Sequence, residues 1–135
     1  YPVSAAEVLA MNYVAELNAG NEIQIFEKMH ESNWDEKMLL NPDFELTKRK
    51  QFFDQIEDVE KFDLICFDAF GYRVQPELWS TAIFQKMYDA LKPKGKLVTY
   101  AARGVVKRSM IEVGFTVEKL AGPPGKREMF RASKG

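Results

Sequence analysis

An acidic residue that ends a buried strand is a candidate for ligand chemistry, and this chain carries one. Phe62-Asp63-Leu64-Ile65-Cys66-Phe67 is a nearly unbroken apolar run that stops at Asp68. Such a run reads as a strand buried on both faces of a parallel sheet. In open α/β sheets, ligands bind outside the carboxyl ends of the strands. The loop Ala69-Phe70-Gly71-Tyr72-Arg73-Val74-Gln75-Pro76 follows, and then Glu77-Leu78-Trp79. An acid together with Phe70 and Trp79 can hold a polar group and a planar ligand. The same pattern also arises when the acid only ends a strand and the aromatics belong to the core.

Basic residues form two groups. Arg103, Lys107 and Arg108 follow the apolar segment Lys96–Ala101, and Lys126, Arg127, Arg131 and Lys134 lie near the end. Side by side, the two groups would make a positive face suited to a phosphate backbone. Set apart, they are solvated surface. The whole chain offers no such bias, since 19 basic residues oppose 20 acidic ones.

Other chemistries lack their residues. The single cysteine, Cys66, excludes a disulfide or a multi-cysteine zinc site within the chain. Within its apolar run it reads as an inert core residue, and this usage suits the cytoplasm. The single histidine, His30, sits on a charged stretch and reads as surface. No histidine pair has metal-ligand spacing, and no metal is expected. Neither a G-x-G-x-x-G nor a P-loop pattern occurs. No apolar stretch approaches the ~20 residues of a membrane span.

The elements that would position Asp68 can be read in order. Ser4-Ala5-Ala6-Glu7 is a capping-box pattern, and apolar residues at helical spacing follow as far as Leu17. A second helix is predicted over residues 21–31. Met38-Leu39-Leu40 leads into the turn signal Asn41-Pro42-Asp43, and a strand is predicted over Phe44–Lys48. A short helix over Gln51–Val59 then precedes the Asp68 strand. Ser80 caps a helix whose apolar face is Ile83, Phe84, Met87, Tyr88 and Leu91. A strand over Lys96–Ala101, a helix over Val105–Val113 ended by Gly114, and strands at Phe115–Leu120 and Glu128–Ala132 complete the chain. This alternation implies an α/β sheet with helices on its faces. The last two strands are joined only by the loop at Gly122-Pro123-Pro124-Gly125, so they should pair antiparallel.

These segments resemble a known family. Asp68-Ala69-Phe70 with Gln75-Pro76-Glu77-Leu78-Trp79 resembles the fourth strand and following loop of the methyltransferase domain of the MnmC family. Leu91-Lys92-Pro93-Lys94-Gly95-Lys96-Leu97-Val98-Thr99-Tyr100 resembles its fifth strand. Val113-Gly114-Phe115 and Lys126-Arg127-Glu128-Met129 resemble its closing hairpin. The resemblance is dense from Lys61 to Ala132, and Tyr1-Pro2-Val3-Ser4 is similar to the segment after the family's second strand. It implies a Rossmann-like class I methyltransferase sheet, mostly parallel with a C-terminal antiparallel hairpin, that binds S-adenosyl-L-methionine. It implies methyl transfer to the exocyclic amine of 5-aminomethyl-2-thiouridine at the tRNA wobble position, with a flavin oxidase, separate or fused, as a possible companion. Asp68 would orient or deprotonate the amine, and Asp68 and Ala69 would contact the cofactor. Phe70, Gln75 and Trp79 would hold the base, and Lys126 and Arg127 the tRNA phosphates.

The family's opening strand, its glycine-rich loop and its ribose-binding acid do not occur in the chain and are expected upstream of Tyr1. Lys50-Gln51 stands where an acidic pair is often found. Residues 1–135 are thus expected to be the C-terminal part of one methyltransferase domain, lacking the first two strands. Their loss would leave Phe44–Lys48 about 14 Å from the Asp68 strand, at ~4.8 Å per strand spacing. Two other readings stay open: a methyltransferase-like module that binds RNA or protein without catalysis, and a small-molecule methyltransferase on the same fold.

Overall fold

Ser4 starts the first helix as its capping box predicts. In the computed structural model, which describes residues 2–135, the Glu7 amide donates to Ser4 Oγ at 3.3 Å and the Ser4 amide donates to Glu7 Oε2 at 2.6 Å. The backbone bond from Ser4, then the hydroxyl bond, holds the Glu7 carboxyl below its usual range. Tyr1, part of the segment similar to the family's, lies outside the described residues. The helix α1 (Ala5–Ala10) is shorter than its periodicity predicts. Met11 is extended, and a separate turn, α2 (Tyr13–Glu16), starts at Asn12. The Asn12 side-chain amide bonds the Glu16 carboxylate at 2.9 Å, an i,i+4 side-chain pair that supports the new turn.

The chain divides into two compact units, up to Lys50 and from Gln51 onward. The first unit continues with α3 (Ile23–Glu31), on which Ile25, Phe26 and Met29 are half-buried. An antiparallel pair follows, β1 (Lys37–Asn41) and β2 (Phe44–Thr47). The Asp43 amide donates to Asn41 Oδ1 at 2.9 Å and closes the turn. Met38-Leu39-Leu40 is therefore a strand, not a lead-in. The strand expected over Phe44–Lys48 forms over Phe44–Thr47 with this hairpin partner as its neighbour, and Lys48 makes an isolated bridge with Trp34.

In the second unit the segment predicted as a helix over Gln51–Val59 is a single 3-10 turn at Phe53–Gln55. Phe53 and Ile56 pack on the core, and the Ile56 carbonyl accepts Lys86 Nζ at 3.1 Å. Then come β3 (Phe62–Cys66), a 3-10 turn at Pro76–Trp79, α4 (Thr81–Ala90), β4 (Leu91–Thr99), α5 (Gly104–Glu112), β5 (Thr116–Ala121) and β6 (Glu128–Ser133). Ser80 Oγ accepts the Ile83 amide at 3.4 Å and caps α4. Gly114 follows α5 at φ +106°, a conformation that glycine takes without a side-chain clash.

The four strands lie in the order β3-β4-β6-β5. β4 is parallel to β3 and antiparallel to β6, and β6 is antiparallel to β5. Three strands thus run one way and β6 runs back, as the short closing loop requires. Leu97, Phe130 and Ala132 pack with Phe67, Phe84, Met87, Val106 and Met110 in one buried core. Each large side chain so buried contributes about 1.5–3 kcal/mol relative to exposure.

β3 departs from the double-sided burial that its composition predicts. Leu64 is 56% exposed and Cys66 is exposed. Among the described residues β3 pairs with β4 alone. The helical residues of the core, from α4 and α5, pack with Phe67 and Leu97 on one side of the sheet. Leu64 and Cys66 alternate onto the other side. Cys66 is therefore not a core thiol.

Candidate active site

The Phe67 amide donates to the Val98 carbonyl at 2.8 Å, so the ladder between β3 and β4 runs one residue past β3. Phe67 turns into the core, and Asp68, next in alternation, is exposed. Asp68 lines a pocket of about 180 Å³ together with Cys66, Val98, Tyr100, Pro123 and Met129. The pocket sits at the carboxyl ends of the parallel pair, where ligand sites of α/β sheets occur. Its wall is mostly apolar, and Asp68 gives it a carboxylate.

The ends of β3 and β4, the beginning of β6 and one loop build this site. Tyr100 follows β4, Pro123 belongs to the loop between β5 and β6, and Met129 is the second residue of β6. That loop also carries Lys126, whose Nζ lies 5.1 Å from the centre of the Tyr100 ring. The loop is tied across its base, with the Gly122 amide donating to the Arg127 carbonyl at 3.3 Å. The sequence therefore names Asp68 and Lys126 far apart, and the fold brings both near Tyr100, which lines the pocket with Asp68 and carries Lys126 on its ring.

The other predicted residues occupy distinct places. Ala69 is buried, and its carbonyl accepts the Tyr100 hydroxyl at 2.8 Å. Phe70 is 72% exposed. Gln75 is half-buried and closes a turn, its amide donating to the Gly71 carbonyl at 3.2 Å. Trp79 is 1% exposed and lies edge-on to Phe67 and Tyr100, at 5.2 and 6.2 Å between ring centres. Arg127 is exposed.

The basic residues do not all share one face. Lys126 and Arg127 stay on the loop beside the pocket, and the Arg103 guanidinium, just beyond β4, lies 5.0 Å from the centre of the Tyr72 ring. Arg131 instead bonds Glu118 at 2.8 Å across the two closing strands. Lys134 reaches the Leu91 carbonyl at 2.8 Å, at the opposite end of β4. The antiparallel run of β6 is the reason: each residue past Met129 moves away from the pocket. His30, in the first unit, is half-buried, with Nδ1 2.9 Å from the Phe26 carbonyl and its ring against Phe26. A carbonyl only accepts, so Nδ1 carries the proton.

Tyr100, Pro123 and Met129 escaped the sequence reading. For Tyr100 a signal existed, an aromatic directly after the strand next to β3. For Pro123 and Met129 none did, because their place depends on the closing hairpin.

A family model described as S-adenosyl-L-methionine-dependent methyltransferase matches residues 21–135. The chain is 38% identical, over 72 residues, to the tRNA 5-methylaminomethyl-2-thiouridine biosynthesis bifunctional protein MnmC of Campylobacter hominis; the match covers 53% of this chain and 11% of that protein. The crystal structure of MnmC2 from Aquifex aeolicus aligns with a TM-score of 0.67 at 24% identity, over 83% of this chain and 36% of that one. A possible exported protein from Bordetella parapertussis aligns with a TM-score of 0.52 at 15% identity, over 65% of this chain and 44% of that one. At these identities the two solved structures speak for the fold alone.

Proposed function

The chain belongs to the S-adenosyl-L-methionine-dependent methyltransferases, and from that membership we propose that the full protein methylates the exocyclic amine of a modified wobble uridine in tRNA, 5-aminomethyl-2-thiouridine. One observation carries the reading: the carboxylate of Asp68 lines a pocket at the strand ends together with Tyr100, and the basic loop residue Lys126 lies against that Tyr100 ring. An amine acceptor attached to a polyanion calls for that pair. The partial likeness to the Campylobacter hominis protein supports tRNA modification more broadly.

The pocket fits the reacting end of the cofactor and not the whole of it. About 180 Å³ suits a methyl group and an amine beside a carboxylate, whereas sites for larger ligands run to roughly 300–1,000 Å³. S-adenosyl-L-methionine supplies an electrophilic methyl group on a sulfonium sulfur. The residues of this chain prepare the acceptor. Asp68 accepts a hydrogen bond from the substrate amine, aims its lone pair and takes up the proton that the nitrogen loses. Ala69 contacts the cofactor through its backbone. Exposed Phe70 offers a stacking face for the base, with Gln75 and Trp79 behind it, and Lys126 and Arg127 hold phosphates. Holding the amine in line supplies much of the rate.

In this reading residues 1–135 are the C-terminal part of one methyltransferase domain. Support comes from β3, a parallel strand with an open edge and an exposed Leu64. Parallel strands are ordinarily covered on both faces. The reading also places the protein in the cytoplasm with tRNA, beside a flavin oxidase, separate or fused.

The test is transfer of labelled methyl from S-adenosyl-L-methionine to tRNA by the full-length protein. Label in the wobble nucleoside is the expected result. Salt-sensitive tRNA binding without transfer would overturn the enzyme in favour of a binding module, and transfer only to free small molecules would overturn the substrate.

A further inference from the structure

Beyond β3 the chain leaves the ladder, and its carbonyls need other donors. Two successive ones find them in aromatic side chains. Tyr100 Oη donates to the Ala69 carbonyl at 2.8 Å, and Trp79 Nε1 donates to the Phe70 carbonyl at 2.8 Å. These are the two residues directly after Asp68.

Both donors are held in place. The Trp79 indole is 1% exposed and contacts the Phe67 and Phe84 rings at 5.2 and 6.4 Å between centres. Its ring stands at 85° to that of Tyr100, 6.2 Å away. Tyr100 is fixed on its backbone side as well, because it follows β4 directly. Each ring is set by only two side-chain angles and packs against the core, Trp79 fully and Tyr100 in part, so each donor is confined near its carbonyl. The segment carrying the carboxylate is thus pinned to the core at two consecutive points, while Phe70 itself stays exposed.

We infer that Trp79 and Tyr100 are positioning residues, which hold the Asp68-Ala69-Phe70 backbone so that the Asp68 carboxylate keeps one direction into the pocket. In this inference Trp79 acts through the Phe70 carbonyl and not by touching the base. The inference rests on the proposed role of Asp68 for its catalytic consequence, and on the hydrogen bonds alone for its structural one.

The test uses the full-length protein with Tyr100→Phe and Trp79→Phe, which keep an aromatic ring and remove the donor. Two quantities are measured: amide hydrogen exchange across residues 68–73, and kcat and KM per folded molecule. The expected result is faster exchange confined to that segment, with α4 and β4 unchanged. With it, kcat falls on the order of ten- to a hundredfold, the scale of a small misplacement of a reacting group, and KM stays close to the parent value. Unchanged exchange in both variants would overturn the positioning role. Faster exchange with undiminished kcat would overturn its catalytic meaning. A parent protein that methylates no tRNA would defeat the proposed function instead, and the exchange data alone would then decide the positioning. If Trp79→Phe does not fold, Tyr100→Phe carries the test by itself.

Discussion

The Lys126 ammonium lies 5.1 Å from the centre of the Tyr100 ring. This contact ties the loop between β5 and β6 to the pocket that Asp68 lines. An exposed cation–π contact is worth only about 0.5–1 kcal/mol. Lys126 can therefore leave the ring for a stronger partner such as a phosphate.

Replacing Lys126 with alanine is predicted to weaken tRNA binding and to lower the salt slope of log K by about 1, the value of one lost phosphate contact. The effect should fall on KM for tRNA and leave kcat near the parent value. Titrations at several salt concentrations check this. An unaltered slope would remove Lys126 from the RNA interface.

Asp68→Asn tests the carboxylate. The amide keeps the shape but cannot take up a proton, and methyl transfer is predicted to fall by about 10²–10⁴. Because Asp68 is exposed, stability should stay within about 0.5 kcal/mol of the parent. Single-turnover rates and a thermal melt separate the two effects. Full activity in the amide variant would exclude Asp68 as the base.

Gly122→Ala acts on the basic loop from its base. A Cβ there would stand 2.5 Å from the Lys126 carbonyl oxygen and 2.9 Å from the Glu128 amide nitrogen. Both are backbone atoms, so the loop has to move. Affinity for tRNA is expected to drop, while binding of S-adenosyl-L-methionine, followed by calorimetry, stays as it was. Equal tRNA affinity in parent and variant would contradict the idea that this loop is held in a particular place.

The core under the site makes a separate prediction. Phe84 is fully buried and packs against Phe67 at 5.4 Å between ring centres. Phe84→Ala should cost about 3–5 kcal/mol, read from urea unfolding. A loss below about 1 kcal/mol would mean that this core tolerates the cavity.

Much of this architecture is legible in the residues because it is local. Ser4 and Glu7 announce their cap, Ser80 and the apolar stripe of α4 announce theirs, and Gly114 marks the end of α5. The short loop at Gly122–Gly125 allows only an antiparallel return. Where local signals compete, they mislead. The helix predicted over Gln51–Val59 yields to core packing by Phe53 and Ile56, and Met38-Leu39-Leu40 becomes a strand once β2 is there to pair with it. Cys66 reads as buried because apolar runs suit strands covered on both faces, yet exposure depends on what lies against each face.

By itself the sequence determined the acid at a strand end, the aromatic loop after it and the basic closing segment. Those are properties of residue type and spacing along the chain. Only the tertiary structure decided that Lys126 meets Tyr100 beside Asp68, that Arg131 and Lys134 point elsewhere, and that Trp79 lies in the core with its N–H on Phe70. Each depends on which strands pair and in what register, and strand pairing is a contact between residues far apart in the chain.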